Sequence, residues 1–138
     1  MTKPLFSITL ILTMAACHHN IEYIESHTKY SEKYEEVFAA IVHVESRGDP
    51  GAQNGDQVGV AQIRPILVHD LNKHGYNFTL EDRWCPEASF DMFRAYTQLY
   101  EAWTTEDMAR LWNGGPSMNG TDNYWRLVED AISFSGPS

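Results

Sequence analysis

The sequence has 138 residues, of which 10 are Lys or Arg and 19 are Asp or Glu, so that its formal net charge is −9. This length suits one small domain. The acidic balance argues against nucleic-acid binders that depend on neutralising phosphates. Hydrophobic residues make up 43% of the chain and aromatic residues 12%, a composition that excludes an intrinsically disordered protein.

The first sixteen residues have the organisation of a secretory signal. Lys3 precedes a short apolar stretch that ends in the small side chains of Ala15 and Ala16 and is too short to span a membrane. Residues 14–17, Met-Ala-Ala-Cys, resemble the lipobox of bacterial lipoproteins, in which the Cys carries the lipid. We therefore expect export to the periplasm or cell envelope and a lipid anchor on Cys17. Cleavage near Ala15 or Ala16 would instead release a soluble protein.

The two cysteines allow two interpretations. If Cys17 is lipidated, Cys85 stands alone; a bridge between the two is the alternative, and it would suit an oxidising compartment.

The polar residues 17–30 are expected to tether a domain over 31–138 to the bilayer. Residues 43–45, His-Val-Glu, match half of a zinc deaminase signature, but the Pro-Cys-x-x-Cys half is missing, so we expect no metal.

From position 31 onward, apolar residues recur with helical spacing, which predicts a mainly α-helical domain. The first helix is predicted from about Ser31 to Arg47, with Gly48 just beyond its end. The segment 49–63 is rich in Gly, Asn and Asp, and it is predicted to form a loop or a small hairpin.

Four further helices are predicted after this segment. One begins at Pro65 and ends near Gly75, and Pro86 opens a longer one. Thr104 with Asp107 indicates a capped short helix to Trp112, the segment 113–116 breaks the chain, and Thr121 caps the last helix. The predicted buried faces are Tyr34, Val37, Phe38, Ile41 and Val44 in the first helix, Phe90, Phe93, Tyr96, Thr97, Tyr100 and Trp103 in the long one, and Tyr124, Leu127, Val128 and Ile132 in the last.

Glu45 interrupts an otherwise apolar stripe. Positions 34, 38, 41 and 45 share one side of the first helix, so a carboxyl group lies on the face that should be buried. Either the helix ends before Glu45 and leaves it exposed, or the side chain projects into a partly apolar cleft. In a cleft, desolvation would raise the pKa of the carboxyl and keep its proton available near neutral pH, as a general acid requires.

Four segments follow one another in order along the chain: Glu45-Ser46, Gly59-Val-Ala-Gln62, Ala109-Arg-Leu-Trp-Asn113-Gly114, and Tyr124 with Val128. Together they resemble the bacterial and phage lytic transglycosylases of the lysozyme-like superfamily. That family carries Glu-Ser, Gly-Leu-Met-Gln, Ala-Tyr-Asn-x-Gly and a Tyr ahead of a helical Val, in this order. The resemblance covers roughly residues 35–132 and implies a lysozyme-like single domain, mainly α, with a short irregular or β-hairpin segment between its first two helices.

The resemblance implies a role for each matching residue. Glu45 would be the single catalytic acid and base. The other matching residues would bind substrate or orient the acid: Ser46 near the acid or an acetamido group, Gly59 at a close approach to the sugar, Gln62 on an N-acetyl sugar, Trp112 as an aromatic platform, Asn113 on the glycan, and Tyr124 through its hydroxyl on the Glu45 carboxyl.

Two departures from the family pattern alter the expected lining of the site. Val60-Ala61 replaces the Leu-Met pair, and these smaller side chains change how an acetamido group would pack. Trp112 replaces the usual Tyr, which keeps an aromatic ring and loses a hydroxyl.

The implied activity is that of a glycan-cleaving lyase acting on peptidoglycan of the cell wall. It would cleave the β-1,4 bond between N-acetylmuramic acid and N-acetylglucosamine, form a 1,6-anhydro product, and need no cofactor. A two-carboxylate glycosidase would need a second acid, but its candidates, Asp49 and Asp56, are interpreted as turn residues. The alternatives are a lysozyme-type hydrolase and a catalytically inactive glycan-binding module. We expect a monomer whose partners are glycan strands.

Overall fold

A computed structural model describes residues 31–136 of the chain. The predicted signal segment, the tether and Cys17, with its lipidation or its bridge to Cys85, lie outside these residues. The expectation of a mainly α-helical domain with a small hairpin is confirmed. Among the described helices, none is both long and apolar enough to cross a membrane. The elements are α1 (Ser31–Ser46), β1 (Gln53–Asn54), β2 (Gln57–Val58), α2 (Pro65–Lys73), α3 (Pro86–Leu99), α4 (Thr105–Gly114) and α5 (Asp122–Phe134), with 3-10 turns at Glu81–Trp84 and Gly115–Ser117.

Helix α1 is the central element, packed against α3, α4 and α5. Of its predicted buried face, Tyr34, Val37 and Ile41 are at most 2% exposed, whereas Phe38 and Val44 are only partly buried. The helix ends at Ser46, one residue before the predicted end, because Arg47 and Gly48 adopt left-handed backbone with φ of 55° and 83°. The last turn of α1 therefore emerges from the core and carries Glu45 with it.

The segment after α1 contains the predicted hairpin. Strands β1 and β2 are antiparallel, and Val58 also pairs with Ile63 in an isolated bridge. The Gly59 N–H donates to the carbonyl of Ala52 (2.9 Å), and the Ser46 hydroxyl donates to the carbonyl of Val60 (2.7 Å). The first bond closes the hairpin segment, and the second joins the residues after β2 to the last residue of α1.

Helices α3 and α5 expose two side chains that the periodicity predicts to be buried. Helix α3 ends at Leu99 and Glu101 has a left-handed φ of 53°, so Trp103 falls beyond the helix and is 49% exposed. Leu127 is 55% exposed, whereas its neighbour Val128 is fully buried. Since successive residues are about 100° apart around a helix, the two cannot share the narrow buried face of α5.

The corner between α4 and α5 depends on a glycine. Helix α4 begins as predicted, with the Asp107 N–H donating to the Thr104 hydroxyl (3.0 Å), but it continues past Trp112 to Gly114. A Cβ at Gly114 would come within 2.5 Å of the Thr121 methyl group. The close turn from α4 into α5 is therefore open only to a residue without a side chain.

A guanidinium group then joins the two helices. Arg110 on α4 donates to the Asp122 carboxylate (2.7 Å) and to the Thr121 hydroxyl (3.0 Å), and it holds the pKa of Asp122 below its ordinary value. Thr121 is the N-cap residue of α5, as predicted, but its hydroxyl donates to the carbonyl of Met118 (2.8 Å) and makes no capping bond to the helix. These contacts position the first turn of α5, which carries Tyr124.

Gly59 and Gly55 offer a matched pair for testing the hairpin. Both have positive φ, 77° and 62°, but a Cβ at Gly59 would collide with the Arg83 carbonyl, whereas a Cβ at Gly55 would meet nothing within 4 Å. We expect Gly55→Ala to cost about 1–2 kcal/mol of unfolding free energy through backbone strain. Gly59→Ala should cost about 1–3 kcal/mol more, because of overpacking. Urea denaturation measures both, and equal losses would contradict the close approach.

Candidate active site

Glu45 lies where two adjoining clefts meet. The larger cleft, of about 740 Å³, is bounded by α2 and by the corner between α4 and α5. The smaller cleft, of about 400 Å³, is bounded by the hairpin. Both clefts are lined by Val44, Glu45, Gln57 and Gln62. A groove therefore extends to either side of the Glu45 carboxyl.

The Glu45 carboxyl is partly buried and has one strong hydrogen-bond donor. The Tyr124 hydroxyl donates to its Oε1 at 2.8 Å, across 79 positions of sequence. Burial raises the pKa of Glu45 above its ordinary value, although the bond from Tyr124 and the positive charge of Arg64 both act to lower it. Glu45 therefore holds its proton to a higher pH than an exposed glutamic acid does.

Tyr124 is placed to act as a permanent donor to this carboxyl. It is 9% exposed, and burial, followed by the Glu45 charge and the hydrogen bond, raises the pKa of its phenol above the ordinary value. The phenol stays protonated at any pH at which the protein would function. Its bond therefore stabilises the ionised form of Glu45 without competing for the proton.

Gln62 lines both clefts beside Glu45 and has its own side chain anchored. Its amide nitrogen donates to the carbonyls of Ala52 (3.1 Å) and Gly59 (2.9 Å), and its backbone is left-handed, with φ of 50°. Since the amide N–H groups are used within the loop, the Oε1 atom is the part of Gln62 available to a ligand. That oxygen can accept a hydrogen bond from an amide or a hydroxyl.

Trp112 and Asn113 line the larger cleft from the end of α4. The Trp112 indole N–H donates to the carbonyl of Ala61 (3.2 Å), and its ring meets the edges of Phe93 and Tyr96 with centroid distances of 5.5 and 6.3 Å. The indole is therefore a rigid part of the cleft wall. Asn113 is exposed and also lines this cleft.

Ser46 and Gly59 have structural contacts of their own. Ser46 lines the smaller cleft, and its hydroxyl donates to the carbonyl of Val60. Gly59 lines neither cleft, and a Cβ at this position would meet the backbone of Arg83. Both residues hold the hairpin segment in place, and the contacts with a sugar that the resemblance implies for them stay predictions.

The two acids considered as a second carboxylate lie away from the clefts. Asp49 accepts the Gly51 N–H at 2.9 Å in a local turn, and Asp56 is exposed in the hairpin turn. Asp70 of α2 lines the larger cleft and was not singled out by sequence reasoning. It accepts the hydroxyl of Tyr100 at 2.5 Å, a contact across 30 positions that no local pattern reveals.

Three basic side chains of the larger cleft were not among the predicted site residues. Arg64, His69 and Lys73 line it from α2 and the residue preceding that helix. With the Gln57 amide turned to face the guanidinium, its oxygen accepts from Nε and Nη2 of Arg64, both at 2.7 Å. The only signal in the sequence was helical spacing, which places positions 66, 69, 70 and 73 on one side of α2. Within residues 31–136, no group of three His, Cys, Asp or Glu could hold a metal ion.

No protein-family model, curated protein or solved structure matches this chain. The geometry and chemistry of the site's own residues are therefore the indication of its function. Among them, the partly buried carboxyl of Glu45 is the group with the clearest chemical consequence.

The pKa of Glu45 predicts how stability should change with pH. A carboxyl whose pKa is raised on folding costs nothing below its unfolded pKa, and it costs progressively more as pH rises from there through the folded pKa. Glu45→Gln removes this cost and keeps an oxygen acceptor for Tyr124. Its unfolding free energy, relative to wild type, should therefore increase between pH 4 and pH 8 in urea titrations.

The control for this measurement is Glu36→Gln, a change at an exposed position of the same helix. It removes the same formal charge without relieving burial. If the two variants changed in parallel with pH, the burial of Glu45 would not be the cause.

Proposed function

We propose that this protein is a peptidoglycan lytic transglycosylase with a lysozyme-like fold. The observation that carries the proposal is the Glu45 carboxyl, partly buried and bonded to Tyr124, at the junction of two clefts. A polymeric substrate needs binding surface on both sides of the bond that breaks, and the groove offers it. The proposed substrate is a cell-wall glycan, in keeping with the predicted export signal.

The first chemical step uses Glu45 as a general acid. Its proton passes to the glycosidic oxygen as the bond from the anomeric carbon of N-acetylmuramic acid to that oxygen breaks. The acetamido oxygen of the same sugar attacks the anomeric carbon and forms a cyclic oxazolinium ion. Tyr124 stabilises the carboxylate that remains on Glu45. General acid catalysis of this kind contributes about 10²–10⁴-fold to the rate.

The second step uses the same carboxylate as a base. Glu45 takes the proton from the C6 hydroxyl of the muramic acid residue, and the C6 oxygen attacks the anomeric carbon. The acetamido oxygen leaves, so that its bond to the anomeric carbon is replaced by the 1,6-anhydro bridge. Glu45 ends protonated, as it began, and the reaction consumes no water and requires no cofactor.

The groove carries groups suited to an N-acetylated sugar. The free oxygen of Gln62 can accept an acetamido N–H beside Glu45, and the Trp112 indole offers an aromatic surface for a sugar ring. Ile66, which is 72% exposed, adds an apolar surface at the larger cleft. These contacts favour sugars that combine apolar ring faces with amide substituents.

The two alternatives make different demands on the site. A hydrolase needs a second carboxylate, and in the described part of the chain Asp70 is the one other acid that lines either cleft. That carboxylate already accepts the Tyr100 hydroxyl. A binding module without catalysis has no use for a carboxyl of raised pKa, which lowers stability when it ionises.

Replacing the acid tests the proposed chemistry. Glu45→Gln should lower the release of soluble fragments from purified sacculi by at least about 100-fold, the lower range for loss of a general acid. Circular dichroism should show an unchanged fold, and Glu36→Gln should keep wild-type activity. Undiminished release by Glu45→Gln would support a binding module in place of the enzyme.

The products distinguish the transglycosylase from the hydrolase. Mass spectrometry should show muropeptides with 1,6-anhydro ends, lighter by one water than hydrolytic products. Asp70→Asn, which keeps an acceptor for Tyr100, should retain cleavage within a few-fold, because the proposed route uses one carboxyl group. Reducing ends that contain the elements of water, together with an inactive Asp70→Asn variant, would establish a hydrolase.

A further inference from the structure

The charge around the clefts differs in sign from that of the whole protein. Residues 31–136 contain eight Lys and Arg residues and seventeen Asp and Glu residues. Three of these basic residues, Arg47, Arg64 and Lys73, line the clefts, whereas the acids that do so are Glu45 and Asp70 alone. Even with both of these acids ionised, the fixed charge of the groove is positive, on a protein whose net charge is −9.

The basic side chains of the larger cleft lie on one side of it, which we call the α2 wall: Arg64, His69 and Lys73. Arg64 and Lys73 supply its fixed positive charge. Neither Arg64 nor Lys73 forms an ion pair with a carboxylate among residues 31–136. Arg64 is held through Gln57, which is uncharged, so the guanidinium is oriented without being neutralised. Within the described residues, the positive charges of Arg64 and Lys73 are therefore not neutralised by an ion pair.

Asp70 is the one acid among these cations, and its carboxylate is occupied. One oxygen accepts the Tyr100 hydroxyl, and the other lies 3.6 Å from Nδ1 of His74. These partners hold the carboxylate of Asp70 toward α3 and the end of α2. A ligand in the cleft would consequently meet the α2 wall chiefly as a donor of positive charge.

We infer that the α2 wall binds a carboxylate carried by the muramic acid residue of the glycan. The inference rests on the proposed function, since it concerns the substrate of the same groove. Muramic acid carries its acidic groups on the lactyl ether at C3, either as the free lactyl carboxylate or as the carboxylates of an attached peptide stem. Glucosamine and its N-acetyl form carry none, so the wall distinguishes the two sugars of the repeat.

The same contact would select which sugar lies beside Glu45. With the muramic acid residue bound on the α2 side and its reducing end toward Glu45, its anomeric carbon and its C6 hydroxyl would lie next to the carboxyl that must act on them. A strand bound with N-acetylglucosamine in this cleft would lack the charged contact. The α2 wall is thus a specificity element that acts beside the catalytic carboxyl.

Lys73→Gln is the test variant, because Arg64 also lowers the pKa of Glu45 and its loss would change two properties together. The matched control is Arg126→Gln, the same loss of one charge at an exposed position of α5 that lines neither cleft. Dissociation constants are measured in a Glu45→Gln background, in which strands stay intact. The three ligands are stem-bearing glycan strands, strands from which an amidase has removed the stems, and chito-oligosaccharides, which have no carboxylate.

We expect Lys73→Gln to weaken the binding of carboxylate-bearing strands about two- to fivefold, the range of an exposed ion pair, and to leave chito-oligosaccharide binding unchanged. Loss with stem-bearing strands alone identifies the stem as the source of the carboxylate, and an equal loss with stem-free strands identifies the lactyl group. In both cases the loss should shrink at high salt, and Lys73→Arg should restore binding.

An equal loss with chito-oligosaccharides, or no loss with any ligand beyond that of Arg126→Gln, would overturn the inference. The cleavage assay with the unmutated Glu45 reports the proposed function separately. Strands that bind through Lys73 but are not cleaved would refute the enzyme and retain the carboxylate contact. If wild type and Lys73→Gln cleave strands equally well, with no selective loss of binding, the enzyme is retained and the carboxylate contact is refuted.

Discussion

Burial of the Glu45 carboxyl against the Tyr124 hydroxyl is the constraint on which the arrangement of this domain depends. A carboxyl removed from water is costly unless a donor compensates for the lost hydration, and the donor here comes from α5, the last helix of the chain. The corner at Gly114 and the Arg110 contacts set the position of α5 relative to α4. The hydrogen bond to the carboxyl at the end of α1 therefore forms only when α5, the last helix, has packed against α1.

The backbone between the hairpin and α2 shows how the groove is kept open. Three consecutive carbonyls, those of residues 59–61, accept hydrogen bonds from the side chains of Gln62, Ser46 and Trp112 respectively. Because this segment belongs to no helix, its carbonyls need partners from elsewhere, and the side chains around the acid supply them. Residues whose pattern suggests contact with substrate therefore also support the loop that forms the groove.

Net charge is a poor guide to the electrostatics of the groove. Acidic side chains dominate the outer surface, including the exposed turns of α1 and α5, while the clefts collect cations. Local potentials depend on nearby groups, because exposed charges are screened over about 10 Å at moderate salt. An acidic protein can in this way keep an attractive surface for an acidic polymer at the place where the chemistry is proposed to occur.

The sequence by itself determined the helical segments, the hairpin region and the apolar stripe with Glu45 at its end, because periodicity, glycines and prolines act within a few residues of one another. It misjudged Trp103 and Leu127, since the width of a buried face depends on what packs against it. The bond from Tyr124 to Glu45 was expected only through the family resemblance, and the structure contains it. The tertiary structure alone decided that Glu45 is partly buried rather than exposed, that Gly59 faces Arg83, and that the α2 side chains line the same cleft. Each of these is a contact between residues distant in sequence, and the chain can specify such contacts only through the packing of the whole core.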